Sequence, residues 1–218
     1  MITLCHQRPG QIFAAFLVAL FTILLAPHTV SAEEQTKAIS DDILNTAEVS
    51  NFAKVSSTMW RGAQPSDHSL EVLAHGGIKT VIDLRMEGED SDHENKRATE
   101  LGMTYIHIPM GFNKPSSDKI LSFLKTVTDP ACQPVFVHCR QGADRTGTVC
   151  AIYRRLVQGW TFEQCWPEMR QHHFKPFLAS LKKTVQEFPC EEFRHLLAVP
   201  QQKVATSSPA TTVAANKT

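Results

Sequence analysis

The sequence predicts an α/β domain, with a central, mostly parallel sheet flanked by helices and a helical C-terminal part. Two observations carry that prediction. Short apolar runs rich in Val and Ile recur after residue 55, separated by amphipathic stretches that begin and end with helix signals. Beyond residue 160 the helical patterning continues without further strand-like runs. With 42% hydrophobic residues in 218, the chain has enough apolar material for one well-packed domain.

In order, Ser66 or Asp67 caps a helix through Leu70, Val72 and Leu73, which Gly76-Gly77 closes. The run Ile78 to Leu84 is a buried strand. A charged helix over about 92–101 ends at Gly102, and Met103 to Ile108 forms the next strand. Pro115-Ser116-Ser117 opens a helix whose Ile120, Leu121, Leu124 and Val127 share one face. Val135-Phe136-Val137 is a short strand, and Thr146 to Val157 a helix stopped by Gly159. Thr161 and Gln164 form a capping box for a further helix, where Trp160, Phe162 and Trp166 are spaced for core packing.

The flanks differ in character. Residues 1–32 read as a signal peptide: His6 and Arg8 precede the apolar run Ile12 to Ala26, and Val30-Ser31-Ala32 supplies small residues for cleavage. The run is shorter than the ~20 residues of a spanning helix. Export to a periplasm or the medium follows, with a retained N-terminal anchor as the alternative, and no stable membrane insertion follows cleavage. Residues 33–57 form a polar lead-in with a short helix around 41–47, 58–198 the working domain, and 199–218 a disordered Ser/Thr/Ala/Pro/Gln tail.

Lys+Arg and Asp+Glu each number 22, so the net charge is zero and no bulk basic field exists for nucleic acid. Anion selectivity has to come from a local site. Of six cysteines, Cys5 falls in the leader, leaving Cys132, Cys139, Cys150, Cys165 and Cys190. That odd set suits one reactive thiol and up to two disulfides outside the cytoplasm, with Cys150 a buried apolar residue. His172-His173 with Cys165 completes no known ligand spacing, so no metal is expected.

The chemistry concentrates in His138-Cys139-Arg140-Gln141-Gly142-Ala143-Asp144-Arg145-Thr146-Gly147, between a predicted strand and helix. A loop there aims backbone N–H groups at one point, and the helix dipole adds positive potential. Gly142 allows the chain to turn inward into a phosphate nest. Arg145 ends the loop with a planar fork that matches two phosphate oxygens. Cys139 stands where those donors converge, a setting that favours thiolate chemistry and in-line attack on phosphorus. Residues 140–145 are the expected substrate contacts, Thr146 supports the departing sulfur, and His138 braces the loop backbone. A bare Cys and Arg six residues apart could be accidental; the accompanying His, Gly and Thr residues argue against that.

This loop resembles the signature of the protein tyrosine phosphatase superfamily, in its small dual-specificity branch. Trp60-Arg61-Gly62-Ala63-Gln64-Pro65-Ser66, then Gly77 to Arg85, resembles the opening of bacterial and atypical fungal or plant members, and Tyr105 to Met110 also fits. The similarity covers about residues 58–170. It implies a cysteine-phosphatase-like fold and a cofactor-free phosphomonoesterase of phosphotyrosine or dual-specificity type, with Cys139 the nucleophile and Arg145 the phosphate clamp.

The pattern departs at the proton donor. The resemblance leads one to expect an acidic residue after the strand that ends at Pro109, yet 110–117 read Met-Gly-Phe-Asn-Lys-Pro-Ser-Ser, with Asn113 the nearest polar side chain. Asp118 suits the first turn of the next helix for dipole reasons. Asp144 is the other candidate; its Asp-Arg-Thr setting resembles myotubularin lipid phosphatases and some bacterial phosphatases, and either acid or loop-shaping roles fit. Phosphoproteins, phosphoinositides and inositol polyphosphates all stay open as substrates, with Lys114 and Arg140 favouring a polyanion. The rival readings are a rhodanese-like sulfurtransferase, against which Arg145-Thr146-Gly147 argues, and a non-catalytic phospho-binding module.

Overall fold

Alternation along short strands sorts the hydrophobic core into two halves. In the computed structural model, which describes residues 46–88 and 91–198, Val81 of β3 (Thr80–Asp83) faces one side of the sheet and Ile82 the other. Likewise Phe136 of β5 (Val135–Cys139) opposes Val135 and Val137. Helices α1 (Asp67–His75) and α2 (Ser91–Glu100) cover the Val81–Phe136 face through Leu70, Leu73 and Ala98. The opposite face carries the larger core. There α3 (Ser117–Thr128) contributes Phe123 and Leu124, and α4 (Asp144–Val157) contributes Val149 and Ile152. Met169 of α5 (Phe162–Gln171), Leu181 of α6 (Ala179–Gln186) and Phe193 of α7 (Cys190–Ala198) complete it.

The five-stranded sheet has the order β1-β2-β5-β3-β4, with β1 (Ala53–Ser56), β2 (Met59–Ala63) and β4 (Thr104–His107) joining the two strands above. All pairs are parallel except β1 with β2. The predicted α/β architecture with a mostly parallel, helix-flanked sheet is therefore the one observed. Its central strand is β5, and the register sets Cys139 beside Ala63 and His138 beside Asp83. A loop leaving β5 thus has a neighbouring strand on each side, where parallel sheets bind ligands.

The helices start where their capping residues stand. Ser66 accepts a hydrogen bond from the Ser69 amide, and both halves of the Thr161–Gln164 capping box are formed. Trp160, Phe162 and Trp166 pack against the larger core as expected. Two strands, however, lack a sequence signal. β1 falls inside the segment read as a lead-in, so the sheet begins before residue 58. β2 is buried at every position although it reads Met-Trp-Arg-Gly-Ala, because Arg61 and Gly62 serve the neighbouring loop and break the apolar pattern. The leader, the tail and all but Thr46 and Ala47 of the helix expected around 41–47 lie outside the described residues.

All five cysteines from Cys132 to Cys190 are free thiols, so the disulfides allowed by the count do not form. Cys150 and Cys165 are core residues whose thiols burial pushes up to about 11. Among the described residues no helix is long and apolar enough to cross a membrane.

Phe136 is wholly buried on the central strand and stacks on both Phe52 and His138. Phe136→Ala should cost about 3–5 kcal/mol, read as a lower midpoint in urea unfolding.

Candidate active site

The loop from β5 to α4 is shaped from behind. Gly142 has φ +64°, and a Cβ there would stand 2.4 Å from the Gly62 carbonyl carbon and 2.5 Å from the Ala63 nitrogen. Only glycine permits so close an approach of loop to strand. Arg61 of β2, itself buried, donates from Nη2 to the Gly142 carbonyl at 2.5 Å. Asn51 Nδ2 donates to the Gln141 carbonyl at 2.8 Å, and the Gln64 amide makes a longer bond to Arg140 O at 3.4 Å. With successive carbonyls held from outside, the loop's N–H groups remain for whatever occupies its concave side. No side chain caps the N-terminus of α4, so its first-turn amides are likewise left for an anion.

The opening above this loop is small, ≈ 120 Å³, and is lined by Phe112, Cys139, Arg140, Gln141, Asp144, Arg145 and Lys175. Cys139 forms its floor and is only 2% exposed. Arg145 is nearly as buried; its Nη1 donates to Met110 O at 3.4 Å and Leu84 O at 3.5 Å, and the ring of Phe112 lies 5.2 Å from its guanidinium carbon. Thr146 is fully buried in the first turn, its hydroxyl without a hydrogen-bond partner. Asp144, also buried, is doubly engaged: Oδ1 accepts from the Lys175 amide at 2.8 Å and Oδ2 lies 3.3 Å from Lys175 Nζ.

This is a thiol set in an anion cradle with a guanidinium beside it, and the comparisons with known proteins agree. The family described as "DSP-PTPase phosphatase fused to NAD+ Kinase" matches residues 35–187. The chain belongs to that DSP-PTPase family. Dual specificity protein phosphatase TpbA of Pseudomonas aeruginosa is 27% identical over 171 residues, 78% of this chain and 76% of TpbA. Inositol diphosphatase SIW14 of Saccharomyces cerevisiae is 27% identical over 67% of this chain but 53% of its own length. A probable NAD kinase 2 of rice is 30% identical over 45% of this chain, a match spanning 10% of the kinase. Among solved structures, TpbA superimposes with a TM-score of 0.58 at 23% identity, covering 68% of this chain and 91% of that one. The SIW14 catalytic core does so with a TM-score of 0.60 at 22% identity, over the same shares. The chain is a cysteine-based phosphatase with the fold of that group.

Behind the loop the DSP-PTPase domain holds a group of buried charges. Arg85 donates from Nε to both Asp83 oxygens, at 2.9 and 3.0 Å, and from Nη2 to Asp83 Oδ2 at 2.7 Å and Glu94 Oε2 at 2.8 Å. His138 Nε2 stands 2.6 Å from Glu94 Oε1 without the alignment of a hydrogen bond. Tyr105 and Ser91 hydroxyls also donate to Asp83. Burial alone would raise the Asp83 carboxyl, but Arg85, His138 and Tyr105 together hold it well below the usual carboxylate range. His138, which the sequence suggested as a brace for the loop backbone, is placed inside this ionic cluster and stacks on Phe136. Asp83, Glu94 and His138 are close enough to hold a cation, yet Arg85 already bonds both carboxylates.

Most sequence-nominated residues meet at this opening. Cys139, Arg140, Gln141, Asp144 and Arg145 line it, while Gly142, Ala143 and Thr146 are buried in its wall. Lys114 does not line it; the residue borders a separate cavity of ≈ 370 Å³ with Lys183 and Phe193. Asp118 is exposed in the first turn of α3 and Asn113 is exposed before it, and neither lines the opening. His172 is pushed down to about 4 by burial and by the Arg61 charge. Sequence reasoning missed Arg61, the Asp83–Arg85–Glu94 cluster, Phe112 and Lys175. For Arg61, Asp83 and Arg85 a signal existed: charges set in or beside apolar strand runs.

Because the folded protein binds fewer protons at Asp83 than the unfolded chain, the cluster stabilises above the ordinary carboxylate range and loses that effect as pH falls. Asp83→Asn should therefore cost about 3–5 kcal/mol at neutral pH, by leaving Arg85 underpaired. It should also flatten the decline of the urea midpoint between about pH 5 and pH 2.

Proposed function

We propose that this phosphatase hydrolyses phosphomonoesters of dual-specificity type through a cysteinyl-phosphate intermediate, with Cys139 as nucleophile and Arg145 as phosphate clamp. The observation that carries it is the placement of both side chains on one small opening beneath the uncapped start of α4. In the first step the Cys139 thiolate attacks phosphorus, the bond to the ester oxygen breaks, and that oxygen leaves with a proton taken from water or from a protonated Asp144. In the second, water attacks the phosphorus, the sulfur–phosphorus bond breaks, and inorganic phosphate departs. The unpartnered Thr146 hydroxyl is available to the leaving sulfur. Loop N–H groups and Arg145 hold the phosphoryl oxygens as charge shifts among them.

The two bonds from Asp144 to Lys175 support a positioning role for that carboxylate, with acid catalysis as the competing assignment. A small opening, with room for a phosphoryl group and little of the body that carries it, supports broad acceptance of phosphoryl groups, in keeping with the name of TpbA. Arg140 and Lys175 at its rim favour a second reading, a polyanionic inositol phosphate, in keeping with the name of SIW14. Export rests on the leader-like residues 1–32, with Val30-Ser31-Ala32 as the cleavage site.

Hydrolysis of p-nitrophenyl phosphate under reducing conditions should vanish in Cys139→Ser and fall about 10²–10³-fold in Arg145→Lys. Full activity in Cys139→Ser would sink the mechanism. Asp144→Asn separates its two roles. Loss of an acid removes about 10²–10⁴ from substrates with poorly acidic leaving groups while sparing aryl esters, whereas loss of a positioning group lowers both. For export, N-terminal sequencing of the protein recovered from outside the cytoplasm should begin at Glu33; an intact N-terminus on cytoplasmic protein would refute it.

A further inference from the structure

We propose that Lys175 determines specificity by binding a second phosphate group beside the one held in the Cys139 loop, selecting small-molecule polyphosphates over simple monoesters. This rests on the cysteine-phosphatase mechanism above and takes the second, polyanionic reading of its substrate, assigning the selection to one residue.

Lys175 enters the site from the connection between α5 and α6, far in sequence from the loop it meets. Its amide donates to Asp144 Oδ1 at 2.8 Å, which fixes the backbone over the start of α4. Its ammonium reaches forward to Asp144 Oδ2 at 3.3 Å and to Gln141 Oε1 at 2.9 Å. An ammonium has three N–H donors, and these contacts account for two. The side chain is 40% exposed while Asp144 beneath it is 4% exposed, so the charge faces solvent over a covered carboxylate. A lysine serving only to neutralise Asp144 has no need to stand on the rim.

The size of the opening turns this placement into selectivity. At ≈ 120 Å³ it takes a phosphoryl group but leaves the body of the substrate outside. Arg145, buried in the wall, serves the reacting phosphate. Discrimination between substrates then falls to the rim, where Lys175 and the exposed Arg140 are the cations. A second phosphate on a neighbouring position of a compact ring lies within reach of a rim cation. Lys175 can take it with its third donor, or by exchanging the neutral Gln141 amide for a charge-assisted bond while keeping Asp144. Nothing in the Asp144 pairing has to break.

The test compares inorganic phosphate with myo-inositol hexakisphosphate by titration calorimetry on Cys139→Ser protein, which binds without turnover. Lys175→Gln and Lys175→Arg are made in that background, with thermal melts to establish folding. Hexakisphosphate should bind at least about tenfold more tightly than phosphate, and Lys175→Gln should reduce that ratio about tenfold. Lys175→Arg should restore most of it, and weaker binding should follow rising salt more steeply for hexakisphosphate. Equal weakening of both ligands in Lys175→Gln would show that the residue only shapes the loop through Asp144. An unchanged ratio, or no preference before substitution, would also overturn the proposal. Failure of the Cys139-containing protein to cleave p-nitrophenyl phosphate would instead sink the parent reading, which keeps the two failures apart.

Discussion

The near-contact of Gly142 with the backbone of Gly62 and Ala63 is the constraint around which the site is built. A cysteine at the end of a strand becomes a phosphate-site residue only if the following loop curls back over it. Here the curl is set by a loop glycine seated against β2, with Arg61 holding its carbonyl from the far side. Gly62 is also crowded, though by side chains: a Cβ there would stand 2.6 Å from Val49 Cγ1 and 3.0 Å from the Phe136 ring. Strand, loop and ring therefore lock one another, and the loop can hold its shape before any anion arrives. Preorganised donors of this kind do not have to reorient during reaction.

The ionic cluster on the other flank does comparable work by different means. Asp83 ends β3 and Arg85 follows it, Glu94 lies on α2 and His138 precedes the nucleophile on β5. Their contacts tie a helix and two strands together just below Cys139. Burying such charges is expensive, and apolar packing of equal volume often serves stability as well or better. What apolar packing cannot supply is the directional bidentate geometry that Arg85 makes with Asp83. The cluster is best understood as fixing direction at the end of β5: Arg85 pairs both carboxylates, while Glu94 Oε1 and both His138 ring nitrogens are left without a hydrogen bond.

The sequence carried the chemistry more legibly than the support. Cys139, Gly142 and Arg145 could be nominated because loop chemistry restricts residue type position by position, and the structure brings Cys139 and Arg145 to one opening with Gly142 behind it. β3, β5 and the capped helices were legible because alternation and caps are local signals. β2 was not, since Arg61 and Gly62 are spent on the loop and erase the apolar run that marks a buried strand. Lys114 was assigned to the opening by closeness in sequence, whereas Lys175 reaches it across 31 residues through Asp144. That error is general: chain neighbours of a motif are visible to sequence reasoning, and partners delivered by helix packing are not.

The result is a site divided by the origin of its parts. Everything behind Cys139 comes from strands and helix starts held by burial, and it serves the step common to all phosphate esters. The parts in front are different: Phe112 belongs to the segment between β4 and α3, and Lys175 to the connection between α5 and α6. Both are at least 40% exposed, so replacing either disturbs less packing than any change in the loop behind. Phe112 also stands in the segment where an acid was expected, with its ring against the Arg145 guanidinium. A segment that would otherwise deliver a proton here contributes an aromatic wall to the opening. With the phosphate cradle fixed by buried contacts, selectivity can change through these two connections while the thiol chemistry stays intact.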